Sequence, residues 1–167
     1  MTPSQMSREV FVTTFGGIFE HSAWVAEETW DAGLDGKADQ AADLHARMCA
    51  VLRAASHDRQ LDLLNAHPDL AGKLAVAGQL TADSTAEQAS AGLDRCSPQE
   101  FERLQSLNET YKAKFGFPFI MAVKGRSRAE IIQGFEERVN NDDKTEFSTA
   151  LAQVERISLL RLNDLLG

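Results

Sequence analysis

The chain is poor in cysteine, and its two cysteines, Cys49 and Cys96, do not share a CxxC motif. Isolated cysteines of this kind argue against a zinc site and against a disulfide framework. We expect both to be buried or half-buried thiols, because a free cysteine packs as a small apolar side chain.

Long apolar runs are also missing from the sequence. No run approaches the ~20 residues that a membrane-spanning helix requires. The first residues, MTPSQMSREV, have the pattern of neither a signal peptide nor a transit peptide. The final residues, NDLLG, do not match the peroxisomal tripeptide. We therefore expect a soluble protein of the cytoplasm.

Positive charge is scarce, since 17 lysines and arginines face 25 aspartates and glutamates for a net charge of −8. A chain of this charge repels the phosphates of nucleic acids, and no basic stripe compensates for it. We expect no nucleic-acid partner and no membrane partner. A small anionic ligand fits only a site that concentrates positive charge against the overall field.

Sequence motifs for cofactors and common catalytic devices are absent as well. The chain has no HExxH motif, no GxSxG elbow, no Walker loop and no GxGxxG fingerprint. One weak alternative is the pair His67-x-Asp69, which could supply two metal ligands. An enzyme with this sequence is expected to work without a metal or an organic cofactor.

What the sequence does have is helical periodicity. Apolar residues such as Leu44, Met48 and Leu52 recur at helix spacing, whereas alternating strand patterns are absent. A chain of 167 residues typically forms one domain that buries roughly 70% of its surface. We predict an all-α fold, a single compact domain over residues 1–167, with helices at about 3–14, 22–32, 40–55, 58–66, 68–78, 84–93, 98–114, 128–140 and 143–165.

Several helix starts carry a recognisable cap. SPQE (Ser97 to Glu100) and SRAE (Ser127 to Glu130) place a glutamate three residues after a serine, as a capping box requires. TPSQ (Thr2 to Gln5) has the same form near the N-terminus. The one segment that does not fit a helix is FGFPFIMAVKG, residues 115–125, which we expect to be extended and largely buried. Buried non-helical backbone must pair internally or present its N–H and C=O groups to a ligand.

His67 is the first candidate for chemistry. It precedes Pro68, and the residue before a proline is disfavoured in a helix, so we expect His67 at a break between helices. A histidine held there suits a general acid, because its ordinary pKa of ~6.5 is easily tuned. The alternative is a capping or core histidine bonded to backbone. His45 lies off the apolar face of its helix and is expected to be solvated.

The stretch Ser84 to Glu87 has the form of a capping box, which alone would explain both residues. Exposed N–H groups in a first helical turn also attract anions. Ser84, Glu87 and Gln88 could therefore form a helix cap and a binding surface together.

Arg161 extends an apolar helical stripe formed by Leu151, Val154 and Ile157. A guanidinium at such a position must meet a protein carboxylate, such as Glu87, or an anionic ligand. The alternative is an arginine whose stem covers apolar surface while its head reaches water. The other arginines, Arg138 among them, are expected to be solvated or locally paired.

Five motifs, taken together, resemble the OHCU decarboxylase family: FEHSAWVAE, LLNAHPDLAGK, STAEQASAGLD, LNETYKAKFGFPFIMAVKGRS and RISLLRL. The resemblance runs from about residue 11 to 162. Enzymes of this family convert 2-oxo-4-hydroxy-4-carboxy-5-ureidoimidazoline (OHCU) to (S)-allantoin during urate breakdown. The resemblance implies an all-helical enzyme without metal or organic cofactor.

The resemblance also implies roles for individual residues. The catalytic histidine of the HPDL motif is His67, Glu87 acts beside it, and Arg161 is the matched arginine near the C-terminus. The implied substrate-binding residues are Pro68, Ser84, Thr85, Ala86, Glu87, Gln88, Phe119, Ile120, Met121, Ala122, Val123 and Arg161.

From these implications we expect a decarboxylase in which His67 delivers a proton to the substrate. Whether His67 first removes the hydroxyl proton stays open at this point. One alternative is a non-catalytic helical module that holds a urate-derived ligand, and a metal-dependent hydrolase is a third. A homodimer is expected, with Trp24 and Trp30 as exposed interface residues.

Overall fold

The computed structural model describes residues 1–167 and contains nine α-helices and no strand, which confirms the all-α prediction. Short 3-10 turns occur at Pro3–Gln5, Gly36–Asp39 and Leu93–Arg95. No helix is both long and apolar enough to span a bilayer. The helices are α1 (Arg8–Phe15), α2 (Trp24–Asp31), α3 (Ala41–Ala54), α4 (His57–Asn65), α5 (Lys73–Val76), α6 (Ala82–Ser90), α7 (Pro98–Phe115), α8 (Arg128–Arg138) and α9 (Asp143–Leu166).

The chain divides into two compact units. The first unit comprises Met1–Ala66 and Glu155–Gly167, and the second comprises His67–Val154. Helix α9 therefore contributes its N-terminal part to the second unit and its C-terminal part to the first. The organisation of residues 1–167 as one domain stays a prediction.

The first unit buries apolar residues that recur at helix spacing. Leu44, Met48 and Leu52 lie four residues apart on α3 and are fully buried. On α1, Phe11 and Phe15 repeat this spacing, with ring centroids 4.8 Å apart. Burying each such side chain stabilises the fold by about 1.5 to 3 kcal/mol, so these stripes fix which face of each helix is internal.

The second unit is organised around the buried Tyr111 of α7. The rings of Phe115, Phe117, Phe119 and Phe135 lie with their centroids 4.6 to 5.8 Å from the Tyr111 ring. Most of these pairs meet edge to face, the arrangement that aromatic quadrupoles favour. The cluster ties α7 and α8 to the non-helical segment that follows α7.

The capping predictions for α7 and α8 are confirmed. Ser97 and Ser127 each accept a backbone N–H from the glutamate three residues on, and each glutamate side chain bonds back to the serine N–H. Thr2 to Gln5 also forms a capping box, but it begins only a 3-10 turn. The predicted helix at 3–14 is therefore wrong in its first part, because the chain is extended at Met6 and α1 starts anew after its cap Ser7.

Two helices in the middle of the chain differ from prediction. The predicted helix at 68–78 is reduced to Lys73–Val76, since Ala71 takes a left-handed conformation with φ of +51°. The predicted helix at 84–93 begins two residues earlier, at Ala82, and ends before the left-handed Gly92. Its cap is Thr81, whose hydroxyl accepts the Ser84 N–H, so the capping box predicted for Ser84 and Glu87 is wrong.

The expectation that Trp24 and Trp30 are exposed is wrong, because both are half-buried. The Arg59 guanidinium covers the Trp24 ring at 3.9 Å from its centroid. The Trp30 indole donates a hydrogen bond to the carbonyl of Met6 at 3.3 Å. Both rings thus have partners within their own chain.

His45 is half-buried rather than solvated, which corrects a second surface expectation. Its Nε2 lies 2.7 Å from the Glu155 carbonyl and 3.1 Å from the Ser158 hydroxyl. The neighbouring Cys49 is a half-buried free thiol, as predicted, and so is Cys96. Burial, together with the nearby Glu155 carboxylate, raises the pKa of Cys49 to about 12, so this thiol stays protonated and unreactive.

Candidate functional site

His67 lies at a break between helices, as its position before Pro68 predicts. Helix α4 ends at Asn65, and residues 67–72 are non-helical before α5 begins at Lys73. His67 is half-buried and is the first residue of the second unit. Its backbone is therefore constrained by a proline while its side chain retains some access to solvent.

The loop after His67 is held by a side chain from α6. The Gln88 amide oxygen accepts the Ala71 N–H at 2.9 Å, and the Gln88 amide nitrogen donates to the Asp69 carbonyl at 3.3 Å. Gln88 is 6% exposed, so these bonds are shielded from water. The structure thus brings a residue of the predicted binding stretch directly against the loop of the predicted catalytic histidine.

The predicted binding residues of α6 lie on different faces of that helix. Ser84, Glu87 and Gln88 share one face because they are three and four residues apart, and both Ser84 and Gln88 are buried. Thr85 and Ala86 point away from that face and are exposed. Thr85 lines a cavity of about 610 Å³ bounded by α5, α6 and the start of α7, and Gln88 and Ala71 also line it.

The segment after α7 is non-helical and buried from Phe117 to Val123, which confirms the prediction of a buried extended segment near 115–125. Side chains hydrogen-bond to the backbone of this segment at two residues, Ile120 and Ala122. The Ile120 carbonyl accepts from Arg138 at 2.6 Å, and Ala122 pairs its N–H with Gln153 and its carbonyl with Arg126.

A buried polar network supports this segment, and the sequence reading missed it. Glu146, fully buried at the start of α9, accepts hydrogen bonds from Tyr111, Arg138 and Asn141. Arg138 is paired, as expected, but its side chain is only 11% exposed. The available signal was that Glu146 lies four residues before the buried Ala150, on the internal stripe of α9.

The geometry of Arg138 ties the network to the aromatic core. Its guanidinium carbon lies 4.4 Å from the Phe119 ring centroid, and Phe119 stacks on Phe135 at 3.9 Å. Its Nη2 lies 2.6 Å from Glu146 Oε1 but lacks hydrogen-bond geometry, so the directional bond comes from Nε. Burial and the hydrogen bond to Glu146 raise the pKa of Tyr111, which therefore remains a donor.

Arg161 belongs to the first unit and is 5% exposed. Its Nη2 donates to Glu20 Oε2 at 2.8 Å, and its Nη1 donates to the Gly17 carbonyl at 3.2 Å. The expectation that Arg161 meets a protein carboxylate is confirmed. The carboxylate that pairs with it within the first unit is Glu20, a residue that the sequence analysis did not single out.

The geometry around Asp69 argues against the weak metal alternative. The Asp69 carboxylate lies 2.7 Å from the Lys112 ammonium, which neutralises the charge that a metal ion would need. No group of three or more histidine, cysteine, aspartate or glutamate side chains is arranged to hold a metal ion.

Comparison with known proteins agrees with the five-motif resemblance. A sequence profile of the family described as OHCU decarboxylase matches residues 4–163. The 2-oxo-4-hydroxy-4-carboxy-5-ureidoimidazoline decarboxylase of Halalkalicoccus jeotgali is 43% identical over 166 residues, which cover 97% of this chain and 88% of the relative. The enzyme of the same name from Haloferax volcanii is 43% identical, over 97% of this chain and 94% of the relative.

The fold is shared with a solved structure as well. The crystal structure of (S)-allantoin synthase superimposes with a TM-score of 0.76 and 30% identity, covering 98% of this chain and 52% of that one. Sequence and fold thus agree over nearly the whole chain, and the protein belongs to the OHCU decarboxylase family.

Proposed function

We propose that this protein decarboxylates OHCU to (S)-allantoin in urate degradation, with His67 as the proton donor. The observation that carries the proposal is the family match over residues 4–163, which includes the HPDL motif at His67. Relatives that share 43% of their residues with this chain carry the name of this activity.

The substrate itself explains why the reaction can proceed with side chains and backbone alone. Loss of CO₂ from the quaternary ring carbon leaves an electron pair on that carbon. The adjoining C=N bond of the imidazoline ring accepts this pair, so the substrate provides its own electron sink. The protein must orient the departing carboxylate, stabilise the developing anion and deliver a proton to one face.

His67 is suited to the proton delivery, with Glu87 on α6 polarising its ring. Its place next to a loop that Gln88 holds by two hydrogen bonds supports this role, because a general acid must be held within hydrogen-bond reach of the substrate. Arg161 is proposed to bind the substrate carboxylate as a charge-assisted donor. Its buried position supports the role, since a charge acts more strongly away from water.

We propose a role for each remaining binding residue that fits its local geometry. Ser84 donates its N–H to Thr81, so the contribution we propose for it comes from the hydroxyl. The segment Phe119, Ile120, Met121, Ala122 and Val123 is proposed to bind the substrate through its backbone N–H groups. Pro68 and Gln88 shape the same pocket, while Thr85 and Ala86 are proposed to contribute through backbone.

The experiment mixes urate, a urate-oxidising enzyme and hydroxyisourate hydrolase, and follows optical activity with and without this protein. We expect fast formation of enantiopure (S)-allantoin with the wild-type chain. His67→Ala should slow it by about 10²- to 10⁴-fold, the usual worth of general acid catalysis. His57→Ala, on the exposed first turn of α4, is the matched control and should keep full activity.

Two outcomes would contradict the proposal. Unchanged turnover by His67→Ala would remove His67 as the proton donor. Retention of a urate-derived ligand without its conversion would instead identify a binding module.

We further propose that the protein acts as a homodimer in the cytoplasm. The family resemblance supports the dimer, but Trp24 and Trp30 are packed within their own chain and are not proposed as its contacts. Sedimentation equilibrium of the purified protein measures the mass of the assembly. Cell fractionation with an antibody measures the compartment.

A further inference from the structure

Helix α7 presents three polar side chains in a row to the loop that follows His67. Gln105, Asn108 and Lys112 lie three and four residues apart, so they share one face of the helix. Gln105 donates to the Ala71 carbonyl at 2.7 Å, and Asn108 donates to the Leu70 carbonyl at 3.1 Å. Lys112 reaches the Asp69 carboxylate at 2.7 Å. Taken in order along α7, the three side chains therefore bind Ala71, Leu70 and Asp69 of the loop.

Gln88 of α6 also hydrogen-bonds to this loop. It binds the Ala71 N–H and the Asp69 carbonyl, so both backbone groups of Ala71 are held, one by each helix. The two glutamines and Asn108 are buried or half-buried, whereas the Lys112 pair is largely exposed and is worth less. We call this set of bonds on residues 69–71 the loop clamp.

The loop clamp holds a backbone conformation that costs free energy. Ala71 has φ of +51°, a region that residues with a Cβ adopt at a cost of about 1 to 2 kcal/mol. Such a conformation persists only where the surroundings over-determine it, and such strain clusters at functional sites. Four hydrogen bonds to three consecutive residues, with Leu70 and Ala71 buried, over-determine this loop.

The clamp acts on His67 through Pro68. The proline ring fixes φ at Pro68 and restricts the backbone of His67, while the clamp fixes the chain from Asp69 onward. The bonds from α6 and α7 therefore restrict the direction in which the His67 side chain leaves the backbone. Catalysis is sensitive to this direction, because a misplacement of about 1 Å can cost roughly 10²-fold in rate.

We propose that Gln105 and Asn108 are positioning residues for His67. They do not touch the substrate but hold the loop that aims its proton donor. This proposal rests on the proposed function, since it assumes that His67 acts in decarboxylation. Neither residue was singled out by the sequence analysis. Asn108 belongs to the motif LNETYKAKFGFPFIMAVKGRS, whereas Gln105 lies two residues before that motif.

The test uses changes that remove the hydrogen-bond donor while keeping the shape. Gln105→Glu puts a carboxylate against the Ala71 carbonyl, and Asn108→Asp does the same at Leu70. We expect kcat to fall roughly 10- to 100-fold with KM changed less than about threefold. Gln105→Lys restores a donor and should recover much of the loss. Gln99→Glu makes the same charge change on the exposed start of α7 and should leave kcat unchanged.

A second measurement reports on the clamp without any substrate. Amide hydrogen exchange at Ala71 should be slow in the wild-type protein and at least about tenfold faster in Gln105→Glu, because the loop opens locally. Asn108 is 3% exposed, so if Asn108→Asp fails to fold, the half-buried Gln105 alone decides the outcome.

The outcomes separate the two proposals. A kcat for a folded Gln105→Glu within twofold of wild type, or unchanged exchange at Ala71, overturns the positioning role. Equal losses for Gln105→Glu and Gln105→Lys overturn it too, because the donor then does not matter. A wild-type protein that does not convert OHCU overturns the proposed function, and faster exchange at Ala71 in Gln105→Glu then still supports the clamp itself.

Discussion

The Arg161 guanidinium donates to the Glu20 carboxylate across 2.8 Å, and the two side chains are only 5% and 2% exposed. The residues are far apart in sequence, on the last helix and on the turn between α1 and α2. Two charges buried together lose their hydration, and the hydrogen bonds to each other and to nearby carbonyls compensate for that loss. This pair therefore holds an arginine of the proposed site in one orientation.

Removing one partner of this pair should be strongly destabilising. Glu20→Leu leaves the Arg161 charge buried without its carboxylate, and we expect the free energy of unfolding to fall by about 3 to 5 kcal/mol. Glu20→Gln keeps an acceptor and should lose less. Urea unfolding measures both. Glu28→Leu, which breaks the exposed pair with Arg59, is the control and should cost under about 1 kcal/mol. A similar cost for both leucine variants would contradict this account.

Tyr111 and Glu146 should be energetically coupled. Tyr111→Phe removes the hydroxyl that donates to the buried carboxylate, and we expect a loss of about 1.5 to 3 kcal/mol, the range for bonds to charged groups. A double-mutant cycle with Glu146→Gln, followed by thermal unfolding, isolates the pair. Strictly additive losses would show that Arg138 and Asn141 satisfy Glu146 without the tyrosine.

Ala71 should tolerate glycine better than a bulkier residue. Ala71→Gly removes the left-handed strain of about 1 to 2 kcal/mol, offset by the roughly 0.4 to 1 kcal/mol that glycine adds to the unfolded chain. We expect unchanged or slightly increased stability. Ala71→Val should cost more than about 2 kcal/mol, because a β-branched residue resists positive φ in a buried loop. Thermal unfolding checks both variants, and Ala82→Val, at the exposed first position of α6, is the control.

The cap of α7 should make stability depend on pH. Hydrogen bonding from the Ser97 backbone and then from Arg128 holds the pKa of Glu100 below its ordinary value. A carboxyl group whose pKa is lowered by folding contributes stability above its unfolded pKa of ~4.3, and that contribution fades as pH falls through the lowered value. Glu100→Gln should therefore lower Tm at pH 7, and this loss should be smaller at pH 3, which lies below the unfolded pKa. Equal differences in Tm at both pH values would contradict it.

The predicted helix starts that were confirmed are those that depend on hydrogen bonds between residues close in sequence. The starts of α7 and α8 follow from Ser97 and Ser127, since a capping box involves residues only three apart. The start of α6 was mispredicted because Thr81 and Ser84 are both good caps. Burial of the Ser84 side chain decides between them, and burial depends on distant parts of the chain.

The amino-acid sequence by itself determined the helical class, the break at His67, the buried segment before α8 and the family. The evidence for them is the apolar periodicity, the backbone geometry before a proline and the order of the motifs. Each of these can be read from neighbouring residues or from their order along the chain. Only the tertiary structure decided that Glu20 pairs with Arg161, that Glu146 collects Tyr111 and Arg138, and that α7 clamps the loop after His67. The physical reason is that a buried polar group takes whichever partner the packing brings within about 3 Å, and sequence spacing does not encode that distance.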